Sequence, residues 1–142
     1  MHTIFVISRY FLGLLFVATA IGKLLDNRGF AAILSSYQLG IPDAALLGFA
    51  LMISLLELLI GLNILRGRAL GMNILATLGF HLGYASLALI TLLRGIALSN
   101  CGCFGVFWAR SLKWSTVAED LVLAGISVVC WLVLQRITTL KK

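Results

Sequence analysis

Apolar residues are gathered into four long blocks separated by short polar gaps. The blocks run from Ile4 to Leu25, from about Ala44 to Leu65, from about Leu70 to Leu93 and from about Ser115 to Leu134. A helix rising ~1.5 Å per residue needs ~20 apolar residues to cross a hydrocarbon core about 30 Å thick, and each block meets that length. The pattern predicts four transmembrane helices. Arg66-Gly67-Arg68 leaves room for a tight turn, so the second and third spans form an antiparallel hairpin.

From Asp26 to Pro42 the pattern changes. Phe30, Ile33, Leu34 and Tyr37 recur on one face at helical spacing, which predicts a short helix lying in the membrane interface. Asp26 or Asn27 caps its start, and Gly40 with Pro42 ends it. The longest gap, Arg94 to Lys113, contains Asn100-Cys101-Gly102-Cys103-Phe104-Gly105. Just after it, Thr116-Val117-Ala118-Glu119 reads as a capping box for the last helix. Ala18-Thr19-Ala20 resembles a signal-peptidase site behind an apolar core, and cleavage there would leave three spans. The apolar run continues past that site and the basic residue before it, Arg9, stands alone, so the four-span reading is preferred.

Composition agrees with the pattern. Of 142 residues, 61% are hydrophobic, 11% are charged and one is proline, and the mean hydropathy is +1.09. Such a chain belongs in lipid. The expected fold is an all-α integral membrane four-helix bundle, a single domain over residues 1–142 with no room for a soluble second one. The net charge of +6 does not indicate nucleic acid, because the 11 Lys and Arg are spread over ends and loops and form no stripe. They suit anchoring in a lipid bilayer instead. Four spans put Arg9, Arg66, Arg68, Arg136, Lys141 and Lys142 on one side, and Lys23, Arg28, Arg94, Arg110 and Lys113 on the other, six against five. The positive-inside rule then favours cytoplasmic termini and an external cysteine loop.

Several polar residues interrupt the spans. Glu57 lies about 13 residues into the second span and His81 about 12 into the third, counted from the cysteine side, which places both near mid-bilayer. A carboxylate there marks a functional site by default. Against that, a Glu57–His81 contact would simply join two helices, or a protonated Glu57 would bond to neighbouring backbone; the two readings stand level for Glu57, and helix contact is the one preferred for His81. Lys23 and Asp26, with Glu119 and Asp120, fall toward the cysteine side. Singly they read as a snorkelling lysine and helix caps, and together they would line a polar mouth beside the loop. Asn63 and Asn73 are expected to hydrogen-bond across the hairpin, and Trp108, Trp114 and Tyr37 fit an interfacial aromatic belt.

Of three cysteines, Cys130 sits in an apolar run and behaves as a small hydrophobe. Cys101 and Cys103 remain as a pair. Joining positions i and i+2 takes a tight turn, for which Gly102 has the backbone freedom. So small a ring gains little from loop-closure entropy, which suits electron exchange better than stapling. A structural staple, a metal site and two idle thiols are the competing readings. For metal, His2 and His81 lie outside the loop and zinc wants four ligands, so no metal is expected.

Gly22-Lys23-Leu24-Leu25-Asp26, then Phe30, Tyr37 and Pro42, then Glu57-Leu58-Leu59-Ile60-Gly61, and finally Cys101-Gly102-Cys103-Phe104-Gly105 carry a resemblance. Together they resemble the methylamine utilisation MauE branch of the DoxX-like membrane proteins, over nearly the whole chain. The resemblance implies a bacterial inner-membrane protein associated with thiol redox, working with a periplasmic thioredoxin-like partner in the maturation of disulfide-containing enzymes. Cys101 and Cys103 are then the reacting pair, supported by Gly102, Phe104 and Gly105. Glu57, His81, Lys23, Asp26 and Glu119 form the candidate polar or proton site. A quinone between helices near the loop would supply the other half-reaction, by analogy with quinone-linked disulfide-forming four-helix proteins. A non-catalytic scaffold for a redox enzyme and a small-molecule or metal conduit through Glu57 and His81 are the alternatives.

Overall fold

A computed structural model describes residues 2–140; Lys141 and Lys142, counted above with the basic tail, lie outside it. The regular structure of the described residues is five helices: α1 (His2–Leu25), α2 (Asn27–Ser36), α3 (Asp43–Arg66), α4 (Leu70–Leu93) and α5 (Trp114–Thr139). Four of them are long and apolar enough to span a membrane. The bundle is inverted relative to a soluble protein. Large apolar side chains such as Ile7, Leu14, Leu59, Leu75 and Val122 face outward, while Lys23, Glu57, Thr77, His81, Asp120 and Ser127 are buried. Hydrocarbon outside and polar groups satisfied against one another inside is the arrangement a bilayer selects.

The helices pack as two intimate pairs, α1 on α3 and α4 on α5, and the hairpin partners α3 and α4 touch less extensively. In lipid, association follows close packing of small residues more than connectivity. At Gly61 of α3 a Cβ would stand 2.9 Å from the Val17 amide of α1 and 3.0 Å from the Gly13 carbonyl. Arg9 adds a tether, donating to the carbonyls of Ile64 (2.8 Å) and Leu65 (2.7 Å) at the end of α3. Between α4 and α5, Thr77 Oγ1 donates to Ser127 Oγ at 3.1 Å. Cys130, buried beside Phe5, Leu12 and Ile74, packs as the apolar side chain expected of it.

The short interfacial helix forms as expected, with Asp26 as its N-cap accepting from the Gly29 amide at 2.8 Å. Two local expectations are corrected. The last helix begins at Trp114, with Lys113 at the N-cap position, and Thr116 is its third residue, whose hydroxyl accepts from the Lys113 amide. The Thr116–Glu119 box therefore does not form, and Glu119 turns to Arg110 at 2.7 Å. Asn73 does not bridge the hairpin: its amide donates to the Arg68 and Ala69 carbonyls of the turn, both at 3.0 Å.

Candidate functional site

The loop between α4 and α5 folds back over the bundle and brings Cys101 and Cys103 together above α2. Asn100 sets its shape from both sides, accepting from the Gly102 amide at 2.9 Å and donating to the Gly105 carbonyl at 3.2 Å. Such an Asx turn uses the short amide side chain as a substitute for backbone. Gly102 has φ +74°, and a Cβ there would meet Ile33 at 3.0 Å and Phe30 at 3.2 Å. The positive φ is what calls for glycine at Gly102, and the close approach of Ile33 and Phe30 leaves little room for a side chain. At Gly105 the loop backbone lies on α1 itself, where a Cβ would overlap the Gly22 carbonyl and stand 2.9 Å from the Lys23 amide. The loop is further held by the Cys101 amide donating to the Arg110 carbonyl at 2.7 Å.

Tyr37 leaves the aromatic belt expected for it. It is buried, its hydroxyl donates to the Cys101 carbonyl at 2.7 Å, and burial raises its pKa above the ordinary phenol value, with the cysteine pair adding to the effect. Trp108 and Trp114 do stay exposed.

The two sulfurs are 2.7 Å apart and hydrogen-bonded. Because Cys103 keeps the shared proton, the Cys101 thiol is brought down to about 6; burial opposes this and the Arg110 charge assists it. Cys103 is pushed well above the ordinary thiol range by the same hydrogen bond and then by burial. At neutral pH the pair holds one proton between two sulfurs. Alkylation of Cys101 by iodoacetamide should accordingly be half-maximal near pH 6, fall below it as the thiolate is protonated, and stay flat above pH ~8. The Cys103→Ala variant should move that midpoint up toward the ordinary value of about 8.5. Mass spectrometry of the Cys101 peptide gives the rate.

Below the loop, the polar residues of the spans form two separate pairs. Lys23 does not snorkel. It is 1% exposed and sits 2.6 Å from both carboxylate oxygens of Glu57, itself 1% exposed. Tyr84 donates to Glu57 Oε1, Thr19 donates to Oε2 at 3.3 Å, and the Lys23 ammonium lies over the Tyr84 and Phe30 rings. His81 does not touch Glu57 as expected; its Nδ1 is 3.4 Å from Asp120 Oδ1. A cavity of about 120 Å³ lies between the pairs and reaches Cys103, with Lys23, Glu57, His81, Arg110, Glu119 and Asp120 among its lining. Asp26, committed to its cap, does not border it. Among the described residues no three His, Cys, Asp or Glu side chains form a metal-holding group.

Tyr84, Asn100, Arg110 and the pairing of Asp120 were not identified from sequence. A signal for two of them was present. Thr77, His81, Tyr84 and Thr91 recur on one face of α4, and Thr116, Asp120 and Ser127 on one face of α5, a polar stripe inside an apolar helix.

Methylamine utilization protein MauE of Paracoccus denitrificans is 28% identical over 120 residues, which cover 84% of this chain and 64% of that protein. The chain thus spans less than two thirds of the relative's length. No solved structure matches it. The family model described as methylamine utilisation protein MauE matches residues 1–133. With that match running through all four apolar helices and the cysteine loop, the chain belongs to the family described as methylamine utilisation protein MauE and is a multi-pass membrane protein with four candidate spans.

Proposed function

We propose that Cys101 and Cys103 exchange electrons with a thioredoxin-like protein on the extracytoplasmic face of the bacterial inner membrane. The exchange supports maturation of a disulfide-containing enzyme of the methylamine dehydrogenase kind. The observation that carries this reading is the sulfur pair itself, 2.7 Å apart on a turn that needs glycine, with one thiol acidic and its neighbour holding the proton. A thiol of low pKa is present as the thiolate that attacks a disulfide, and a second thiol within bonding reach resolves the mixed disulfide. Two things support an external loop. The Lys and Arg count of six against five favours cytoplasmic termini. An oxidising compartment also suits a cysteine pair.

A quinone–quinol couple in the bilayer would supply the other half-reaction. An apolar groove of about 510 Å³ between α1 and α5 is lined by Phe11, Leu15, Val122 and Ile126, and shares Leu15, Glu119 and Leu123 with the cavity under Cys103. A conduit through Glu57 and His81 has less support, since these side chains are committed to different partners.

Trapping tests the proposal. In cells expressing Cys103→Ser, Cys101 should accumulate a mixed disulfide, released by dithiothreitol, with a thioredoxin-fold protein identified by mass spectrometry. Cys101→Ser should trap none. If neither variant traps such a protein and both support growth on methylamine as wild type does, the pair does not exchange electrons and the scaffold reading takes its place.

A further inference from the structure

One buried polar atom beneath the loop has no protein partner. His81 Nε2 is buried without a hydrogen bond, although Nδ1 of the same ring faces Asp120. Leaving such a group unsatisfied costs about 1–3 kcal/mol, so a nitrogen kept in that state calls for an explanation. His81 lines the 120 Å³ cavity that reaches Cys103. That volume accommodates a short file of waters at about 10–15 Å³ each. The other buried charges on its wall are already matched, because Lys23 and Glu57 neutralise each other. The His81–Asp120 pair differs. A carboxylate on Nδ1 fixes the tautomer and ring orientation and leaves Nε2 as a lone-pair acceptor, the arrangement of an imidazole base.

We propose that His81, oriented by Asp120, accepts the Cys103 proton through water in this cavity as the Cys101–Cys103 bond closes, and returns it when the bond opens. The inference rests on the thiol–disulfide reading above. The Cys101 thiolate first attacks a protein disulfide, forming a mixed disulfide and releasing one partner thiolate, which is protonated by solvent. The Cys103 proton then passes to His81 Nε2. The Cys103 thiolate attacks Cys101 Sγ, the Cys101–Cys103 bond forms, and the second partner thiolate leaves with both electrons of the broken bond. The chain is oxidised by two electrons and the partner reduced by two. In reverse, a partner thiolate attacks Cys101 and the departing Cys103 thiolate recovers the proton from the imidazolium. Cys103 needs such a base, because burial still holds its proton in place once Cys101 has entered the mixed disulfide. Asp120 acts through His81 and is a positioning residue.

The step can be timed with the full chain in lipid nanodiscs, carrying Cys130→Ala so that two thiols remain. An excess of the aromatic disulfide dithiobis(nitrobenzoate) should release one nitrothiolate by attack of Cys101. A second should follow at a rate independent of reagent concentration, by closure onto Cys103, and Cys103→Ser should abolish it. His81→Gln is expected to slow the second release about 10²-fold and to leave the first within about twofold. Asp120→Asn should slow it about tenfold. Added imidazole should speed the second release in His81→Ala and leave wild type unchanged, an effect a merely structural role would not give. If His81→Gln does not assemble, Asp120→Asn decides. A second release unaltered in the variants that assemble overturns the proposal. A wild type with no concentration-independent second release overturns the thiol–disulfide reading itself.

Discussion

Replacing Lys23 by Met is expected to destabilise the bundle by about 3–5 kcal/mol. The reason is the state of Glu57 afterwards. Its carboxylate is 1% exposed, and the ammonium 2.6 Å from both oxygens is its counter-charge. Tyr84 and Thr19 supply hydrogen bonds and no charge. Removing the lysine leaves an unmatched anion among three helices, whereas removing both partners leaves an apolar contact. The double variant Lys23→Met/Glu57→Leu should therefore recover most of the lost stability. Thermal unfolding in detergent, followed by helical circular dichroism, measures both. If the double variant is no more stable than Lys23→Met, the pair does not hold α1 to α3.

Gly105→Ala should detach the cysteine loop from the bundle without unfolding it. At φ +72° an alanine is strained by about 1–2 kcal/mol, and its Cβ would overlap the Gly22 carbonyl, which belongs to α1 and cannot move aside cheaply. The loop has to lift. Cys103 then leaves the cavity, and the hydrogen bond that keeps the Cys101 pKa low is disturbed. Iodoacetamide labelling should show faster access to both thiols with the Cys101 midpoint shifted upward from about 6, and the mixed-disulfide yield with a thioredoxin-fold partner should fall at least tenfold. An unaltered midpoint would mean that the Phe104–Gly105 contact with α1 does not position the pair.

What could be read in advance divides along a physical line. Hydrophobic periodicity and length needed no knowledge of neighbours, so all four spans and the helix from Asn27 to Ser36 were legible, and the choice between Asp26 and Asn27 as its cap fell to Asp26 in the structure. The Cys-Gly-Cys turn was legible for the same reason, since its geometry is local. Pairings between distant residues were not. Glu57 and His81 fall at similar depth on consecutive helices, and depth alone makes them partners. Depth gives no rotation about a helix axis, and rotation turns Glu57 to α1 and His81 to α5.

Tyr37 and Lys23 were misread for one reason: both residue types usually sit at the interface of a membrane protein. Each is buried here because a specific acceptor waits inside, the Cys101 carbonyl for one and the Glu57 carboxylate for the other. Sequence by itself determined that this chain has four helices long and apolar enough to cross a membrane and one tight Cys-Gly-Cys loop, because transfer into hydrocarbon and the conformational range of glycine are properties of short segments. Only the tertiary structure decided that the loop rests on Gly22, that Cys101 is the acidic thiol, and that a cavity joins Cys103 to His81. Those depend on Coulomb forces, burial and contact between residues up to about 80 positions apart, which come into being when the helices meet.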